Sequence, residues 1–248
     1  MKIGLISRGR TQSSAIVQTL SKKYNIDTGF EIYFNAHNHV INYKKLKSLI
    51  NKKYNSNNDF QIQIKNITNS IFLKENVICK LWPSMLSEPP NRITDNDTFD
   101  DIKNKTIFNI SEYFRIKEYD QLYYINKDLH HSTISWVYTK KTKLFHRVKN
   151  NDYLTPLITI DKDDLNLIKF YILEYCLQEK IKDFLCEQKI PYTDITKTYN
   201  QYIDNDIINL TVTNNDYAKL ITNYDMLPSF IDDWYKVCLE NTSDWKYY

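Results

Sequence analysis

Glycine is scarce in this chain, with three among 248 residues against roughly 7% in average proteins. Isoleucine, lysine, asparagine, aspartate and tyrosine are abundant instead, a bias expected of an AT-rich coding sequence. Because so few positions carry glycine, those that do are informative about the backbone. Two of the three, Gly4 and Gly9, lie in the opening stretch GLISRGRTQSS (4–14), which is therefore the first candidate for a functional loop.

Several other signals are missing. The four cysteines are scattered with no C-x-x-C pair, which argues against structural zinc and predicts a reduced, cytoplasmic setting. No apolar run approaches the roughly 20 residues of a membrane span, and the run before Arg8 is too short for a signal peptide. A net charge of +3 does not indicate a nucleic-acid coat or a membrane-surface protein. We therefore expect no nucleic-acid partner and no membrane partner.

The pattern of apolar residues predicts strands that alternate with helices. KIGLI (2–6) is typical of a buried strand, and Ile16, Leu20 and Tyr24 recur at the spacing of one helix face. This alternation predicts a three-layer α/β fold, with a central parallel sheet flanked by helices, in a single domain spanning 1–248. Further strands are expected at 30–35, 76–83, 121–128 and 190–195, further helices at 43–53, 108–116, 129–142 and 163–188, and a long surface loop at 87–106.

The opening stretch reads as strand, tight loop and helix. A helix that begins directly after a strand presents free backbone N–H groups and its positive dipole end, so it can bind an anion. Arg10 adds a guanidinium that suits phosphate or sulfate. The spacing also resembles G-x-x-x-x-G-K-[ST], but that motif needs a strand before Gly4 and a lysine at position 10, and both are missing. The loop alone fits either an anion site or an ordinary polar turn.

A second stretch, INKDLHHSTISW (125–136), repeats this arrangement of a strand followed by a helix. Lys127 lies at the end of the predicted strand, and Ser135 follows eight positions later on the predicted helix. His130 and His131 fall in the first turn of that helix, where they either face a ligand or are exposed. Two polar strand-to-helix junctions in one chain favour a ligand site over a chance match.

Together the two stretches resemble the sulfotransferases that use 3′-phosphoadenosine 5′-phosphosulfate (PAPS). RTQSS (10–14) is similar to the family's [KR]-[ST]-G-[ST]-[ST] loop, with Gln12 in place of glycine. KDLHHSTIS (127–135) matches R-D-P-x-x-x-x-x-S in spacing, with Lys127 for arginine and Leu129 for proline. ICKLWP (78–83) is similar to the strand V-x-K-x-H-x-P, with Trp82 for histidine. The resemblance covers roughly the first 140 residues.

The resemblance implies a fold like that of the P-loop-containing nucleotide hydrolases, of the sulfotransferase type. It also implies an enzyme that transfers a sulfuryl group from PAPS, without a metal, to a hydroxyl or amine of a small-molecule, glycan or peptide acceptor. Arg10 and Lys80 would then touch the transferred group, unless Lys80 reaches solvent from its strand end. The residues expected to bind PAPS are Arg8, Gly9, Arg10, Thr11, Gln12, Ser13, Ser14, Lys127 and Ser135.

The catalytic base is the least determined part of this hypothesis. Trp82 occupies the position of the family's usual histidine, and other branches use a glutamate near the second strand, a position that Glu31 fits. Burial beside phenylalanine and tyrosine would raise the pKa of Glu31 toward that of a base, whereas a solvent-facing Glu31 would have no such role. His37 and His39 are rival bases.

Two other functions remain compatible with the sequence. The same loop could serve a Mg²⁺-dependent nucleotide or nucleoside phosphotransferase, although Arg10 and the short first strand argue against it. The changes at Gln12 and Trp82 favour a third alternative, a degenerate, non-catalytic relative that acts as an interaction protein.

Overall fold

The computed structural model describes residues 1–9, 11–31, 75–81, 98–113, 115–143, 155–204 and 216–240. Within these ranges the chain forms a sheet of five parallel strands in the order β2-β3-β1-β4-β5. The first strand therefore lies in the middle of the sheet, as a buried apolar strand should. The strands are β1 Lys2–Ile6, β2 Asp27–Glu31, β3 Val77–Leu81, β4 Gln121–Tyr124 and β5 Thr193–Asp194.

Five α-helices lie in the described part of the chain. They are α1 Ser13–Tyr24, α2 Phe99–Phe108, α3 Leu129–Thr142, α4 Lys162–Glu187 and α5 Leu227–Leu239. The second continues into a π-helical turn, Asn109–Tyr113, and short 3₁₀ turns connect several of the others. None of the described helices is both long enough and apolar enough to span a membrane.

The sheet is covered on both faces, which confirms the three-layer α/β architecture. On one face Ile3 and Leu5 of β1 pack with Ile16 and Leu20 of α1. On the other face Ile6 and the alternate residues of its neighbouring strands pack against the C-terminal half of α4. A further apolar cluster joins α2, α3, α4 and α5 to one another.

Gly4 is a packing glycine in the middle of β1. A Cβ atom at this position would lie 2.7 Å from Cδ2 of Leu122 and 3.2 Å from carbons of Leu81 and Tyr119. Leu122 and Leu81 belong to the apolar cluster on the α4 face of the sheet. Gly4 is therefore needed for close packing against neighbouring strands, as expected from placing it in the strand and not in the loop.

Most of the predicted elements lie close to their expected positions, but the prediction of a surface loop at 87–106 is wrong over 99–106. These residues belong to α2, which begins after Thr98. The Thr98 hydroxyl accepts from the Asp101 N–H at 3.2 Å, and an Asp101 carboxylate oxygen accepts from the Thr98 N–H at 2.9 Å. This capping box starts a helix that buries Phe99 and Ile102. The helix expected at 108–116 is found over 108–113, as the end of α2 and the π-helical turn, but it begins earlier, at Phe99. The helix expected at 43–53 falls outside the described residues.

Candidate functional site at the carboxyl ends of β1 and β4

The two polar junctions found in the sequence lie side by side in the fold. The chain leaves β1 through α1 toward β2, whereas it leaves β4 toward β5 on the opposite side of the sheet. Adjacent parallel strands whose connections diverge in this way form a crevice beyond their carboxyl ends, where α/β proteins bind ligands. Both α1 and α3 begin at this edge.

The loop after β1 leads into a helix without a side-chain cap. Gln12 is the N-cap residue, and its carbonyl accepts from the N–H groups of Ala15 and Ile16 at 3.0 and 3.2 Å. No side chain caps the first turn, and that turn carries no acidic residue. The N–H groups of Ser13 and Ser14 precede the first intrahelical bond, so the helix presents a partial positive charge at this end.

Gln12 adopts the left-handed backbone conformation, with φ 61° and ψ 15°. This is the position where the family pattern has glycine, the residue that takes positive φ without a steric cost. The backbone at this position therefore has a conformation that glycine would adopt without strain, although the residue is glutamine. A positive φ at a non-glycine residue stores strain of order 1 kcal/mol or more, and such strain clusters at ligand sites.

Buried polar atoms without a partner are concentrated in this loop. Among the described residues, Oγ of Ser7, Nη1 of Arg8 and Oε1 of Gln12 are all buried and form no hydrogen bond. Such atoms are rare in folded proteins, because each loses its hydration without compensation. Three of them lie within six residues of sequence at an uncapped helix start, and of these the Ser7 hydroxyl and the Arg8 guanidinium can donate a hydrogen bond.

Arg8 connects the two junctions. Its side chain is fully buried, and Nε donates to Oδ1 of Asn126 at 2.6 Å. Nη2 donates to the carbonyl of Lys127 at 3.0 Å and to Oγ of Ser132 at 2.7 Å. All three acceptors belong to the β4–α3 junction, so the second stretch is held directly against the first.

Two tyrosine rings of α4 pack against the guanidinium of Arg8. Its central carbon lies 4.5 Å from the ring centroid of Tyr171 and 4.8 Å from that of Tyr175. The Tyr171 hydroxyl also donates to the carbonyl of Gly9. Cation–π contacts of this kind are strongest where water is excluded, so they help to hold a buried charge.

Asn126 is itself oriented by a carboxylate from α4. Its amide donates to Oε1 of Glu179, which also accepts from the Tyr124 hydroxyl at 3.0 Å. Burial, and secondly the Glu179 charge, raise the pKa of Tyr124 well above its ordinary value. Tyr124 therefore stays a neutral donor. A continuous series of hydrogen bonds runs from Tyr124 on β4 through Glu179 on α4 and Asn126 to Arg8 in the loop.

The β4–α3 junction starts a capped helix. Asp128 is the N-cap of α3 and accepts from the His131 N–H at 2.7 Å. The Lys127 ammonium lies 3.9 Å from the ring centroid of Tyr199, and Ser135 is buried one turn beyond Ser132. Both predicted 3′-phosphate residues thus belong to the same junction.

The two histidines of this helix have contacts of their own. Nε2 of His130 lies 2.8 Å from a carboxylate oxygen of Asp232 on α5, and the His131 ring lies 5.5 Å from that of Tyr217. His131 is exposed. Of the two alternatives for these residues, the exposed first helical turn fits better.

Glu31 and Lys80 are register partners on β2 and β3, at the carboxyl end of the sheet. Lys80 is 6% exposed, so the alternative in which it reaches solvent is wrong. Its strand neighbours alternate, and Ile78, two residues earlier, packs on the α1 face. Lys80 therefore lies on the side of the sheet that carries the uncapped helix start.

The remaining predicted site residues divide into two groups. Gly9, Thr11 and Ser13 are buried in the loop, and the Thr11 hydroxyl donates to the Arg8 carbonyl at 2.8 Å. Arg10, His37, His39 and Trp82 lie outside the described residues. No cluster of three or more metal-binding side chains occurs among the residues that the structure describes.

Four residues of the site were missed from the sequence: Ser7, Asn126, Ser132 and Glu179. Asn126 and Ser132 lie inside the stretch INKDLHHSTISW, and their polar side chains beside an apolar strand could have marked them. Glu179 could not be found in this way, because nothing in the pattern of α4 distinguishes it from a solvent-facing glutamate.

Comparison with known proteins adds no assignment: no family model, no curated protein and no solved structure matches the chain.

Proposed function

We propose that the chain binds a nucleotide with two anionic groups in the crevice between β1 and β4, and that it is a PAPS-dependent sulfotransferase. The observation that carries the proposal is the uncapped start of α1, where the N–H groups of the first turn and the buried, unpartnered hydroxyl of Ser7 can donate to an anion. The contact of Arg8 with the β4–α3 junction supports a ligand that reaches both helix starts.

In this proposal the two junctions hold opposite ends of PAPS. The N–H groups at the start of α1, with Arg10, bind the 5′-phosphosulfate, because a helix start and a guanidinium both favour oxyanions. Lys127 and Ser135 bind the 3′-phosphate. Lys127 supplies charge without the bidentate geometry of the family's arginine.

The reaction would be an in-line transfer between two oxygens. The acceptor oxygen forms a bond to sulfur while the bond from sulfur to the 5′-phosphate oxygen breaks, and the electron pair stays on that phosphate. Arg10 and Lys80 stabilise the charge on the leaving phosphate, and Glu31 takes the acceptor's proton. Lys80 is suited to this role because it is buried beside Glu31 in the register of the sheet.

One observation favours the non-catalytic alternative. The Lys127 ammonium already lies on the ring of Tyr199, and Gln12 occupies the glycine position of the loop. A relative in which these contacts replace ligand contacts would bind no nucleotide at all.

Calorimetric titration separates these functions. We expect micromolar binding of adenosine 3′,5′-bisphosphate without metal, and weaker binding of ATP with Mg²⁺. Arg10→Ala and Lys127→Ala should each weaken binding at least tenfold, since a charge-assisted hydrogen bond contributes about 1.5–3 kcal/mol. Lys23→Ala, in the last turn of α1, is the control for loss of one positive charge. Tighter binding of ATP–Mg²⁺ would instead indicate a phosphotransferase, and no binding of either nucleotide an interaction protein.

A further inference from the structure

Arg8 is an unusual residue for the interior of a protein. Its side chain is completely buried, and none of the ion pairs in the described part of the chain includes it. A buried charge without a carboxylate partner is costly, and an apolar residue in its place is often neutral or stabilising. Its presence therefore needs a reason other than stability.

The contacts of Arg8 identify what it does geometrically. Nε and Nη2 bind three groups of the β4–α3 junction, belonging to Asn126, Lys127 and Ser132. The Arg8 backbone belongs to the loop that starts α1, and its carbonyl accepts from the Thr11 hydroxyl. One side chain thus fixes the start of α3 relative to the start of α1.

The guanidinium is well suited to this task. The planar guanidinium donates to three acceptors in fixed directions. The ammonium of a lysine, on its flexible stem, would fix these directions less well. Tyr171 stacks on its face and at the same time bonds the Gly9 carbonyl. Glu179 fixes the Asn126 amide from behind. Each partner of Arg8 is therefore itself held in place.

We propose that Arg8 is a positioning residue that sets the distance between the uncapped start of α1 and the β4–α3 junction, so that one bisphosphorylated nucleotide reaches both at once. This proposal rests on the proposed function, and it assigns to Arg8 a role other than direct contact with PAPS. Nε and Nη2 of Arg8 bond protein acceptors, and its unpartnered Nη1 is buried with the rest of the side chain. Its charge forms no ion pair with a described carboxylate, and in this proposal it adds attraction for an anion in the crevice without touching it.

The test compares ligands that use both helix starts with ligands that use one. The affinities of Arg8→Gln and Arg8→Lys are measured by calorimetry for adenosine 3′,5′-bisphosphate, adenosine 5′-monophosphate and adenosine 3′-monophosphate. We expect the bisphosphate affinity to fall at least tenfold in both variants and each monophosphate affinity less than threefold. Arg8→Lys should not rescue binding, because it keeps the charge and loses the fork.

A second pair of variants covers the case in which Arg8 variants fail to fold. Ser132→Ala removes one acceptor of Arg8, whereas Thr133→Val changes the next residue of the same helix, whose buried hydroxyl has no hydrogen-bond partner. Ser132→Ala should lower the affinity for the bisphosphate about threefold or more, without an equal loss of affinity for either monophosphate. Thr133→Val should leave all three affinities unchanged.

Three results would overturn the proposal. Equal losses for the bisphosphate and one monophosphate would mean that Arg8 contacts that phosphate. Unchanged affinities with a lower melting temperature would mean that Arg8 only stabilises the fold. Absence of bisphosphate binding by the unaltered chain would overturn the proposed function and the positioning role with it, and is distinct from the first two results.

Discussion

Nη2 of Arg8 donates a hydrogen bond to Oγ of Ser132 at 2.7 Å, across 124 residues of chain. The bond joins the loop after β1 to the first turn of α3, the two places where the sequence has a polar strand-to-helix junction. Because both helices start at this edge of the sheet, a change in one junction should affect ligand binding at the other.

Replacing Gln12 with glycine should improve both the fold and the site. The left-handed backbone at Gln12 costs a non-glycine residue about 1–2 kcal/mol, while glycine loses about 0.5–1 kcal/mol in chain entropy. We expect Gln12→Gly to raise the free energy of unfolding by up to about 1 kcal/mol in urea titrations, and to tighten adenosine 3′,5′-bisphosphate binding.

Asn25 provides the control for this change. It has φ 51° at the other end of the same helix, so Asn25→Gly makes the same backbone substitution away from the loop. A gain in bisphosphate affinity in Gln12→Gly alone would assign the effect to the site. Equal affinities in both variants would contradict a role for the Gln12 side chain in binding.

Gly4→Ala should destabilise the protein without a direct effect on the ligand. The added methyl group would lie 2.7 Å from Leu122, so that side chain or the strand must move, which typically costs about 1–3 kcal/mol in a packed core. Urea unfolding followed by circular dichroism measures this loss. An unchanged midpoint would mean that β1 and β4 do not pack as closely as described.

The start of α4 should make stability depend on pH in acid. The Lys141 ammonium, together with the helix N–H groups, lowers the pKa of Asp161 from its ordinary value to about 2. A carboxyl whose pKa is lower in the folded state stabilises the fold above about pH 4 and loses that contribution as the pH falls toward 2. Asp161→Ala should therefore flatten the pH dependence of unfolding over this range.

Asp163→Ala is the matched control, because it removes a carboxylate of the same turn while leaving the capping box of Asp161 and Asp164 in place. Urea unfolding at several pH values compares the two variants with the unaltered chain. If both variants gave the same slope as the unaltered chain between about pH 4 and pH 2, the assigned pKa shift would be wrong.

The sequence was most informative where the periodicity was strong. β1, α3 and α4 lie within one residue of their predicted bounds, since each has a clear apolar pattern and a polar boundary. The helix α2 was missed because Pro89, Pro90 and many polar residues dominate 87–106, while its capping signal spans only Thr98–Asp101.

The site was predictable only in part, and for a physical reason. Local pattern identified both junctions, because a strand followed by polar residues and a helix is a short-range signal. It could not pair Arg8 with Asn126, or Asn126 with Glu179, because these contacts depend on the strand order and on where α4 crosses the sheet. The burial of Lys80 likewise follows from the position of β3 between β2 and β1 in the sheet, and not from the residues next to Lys80 in sequence.

Lys80→Met tests the proposed chemistry separately from nucleotide binding. Methionine has a similar volume and no charge, so the substitution removes the cation and leaves the packing volume of the site nearly unchanged. We expect adenosine 3′,5′-bisphosphate to bind within about threefold of the unaltered affinity. The slow release of sulfate from labelled PAPS, with water as the acceptor, should fall about 10²–10³-fold, the size of effect seen when one electrostatic group is removed from a transition state.

Two further results would contradict this role of Lys80. A lower melting temperature with unchanged sulfate release would assign Lys80 to the fold, and a loss of bisphosphate affinity equal to the loss of rate would assign it to ground-state binding. Lys105→Met, on α2 in the last turn of that helix, controls for the removal of a lysine charge. Only a selective loss of rate at Lys80 is consistent with a cation that acts on the leaving phosphate, because such an interaction strengthens as the bond to sulfur breaks.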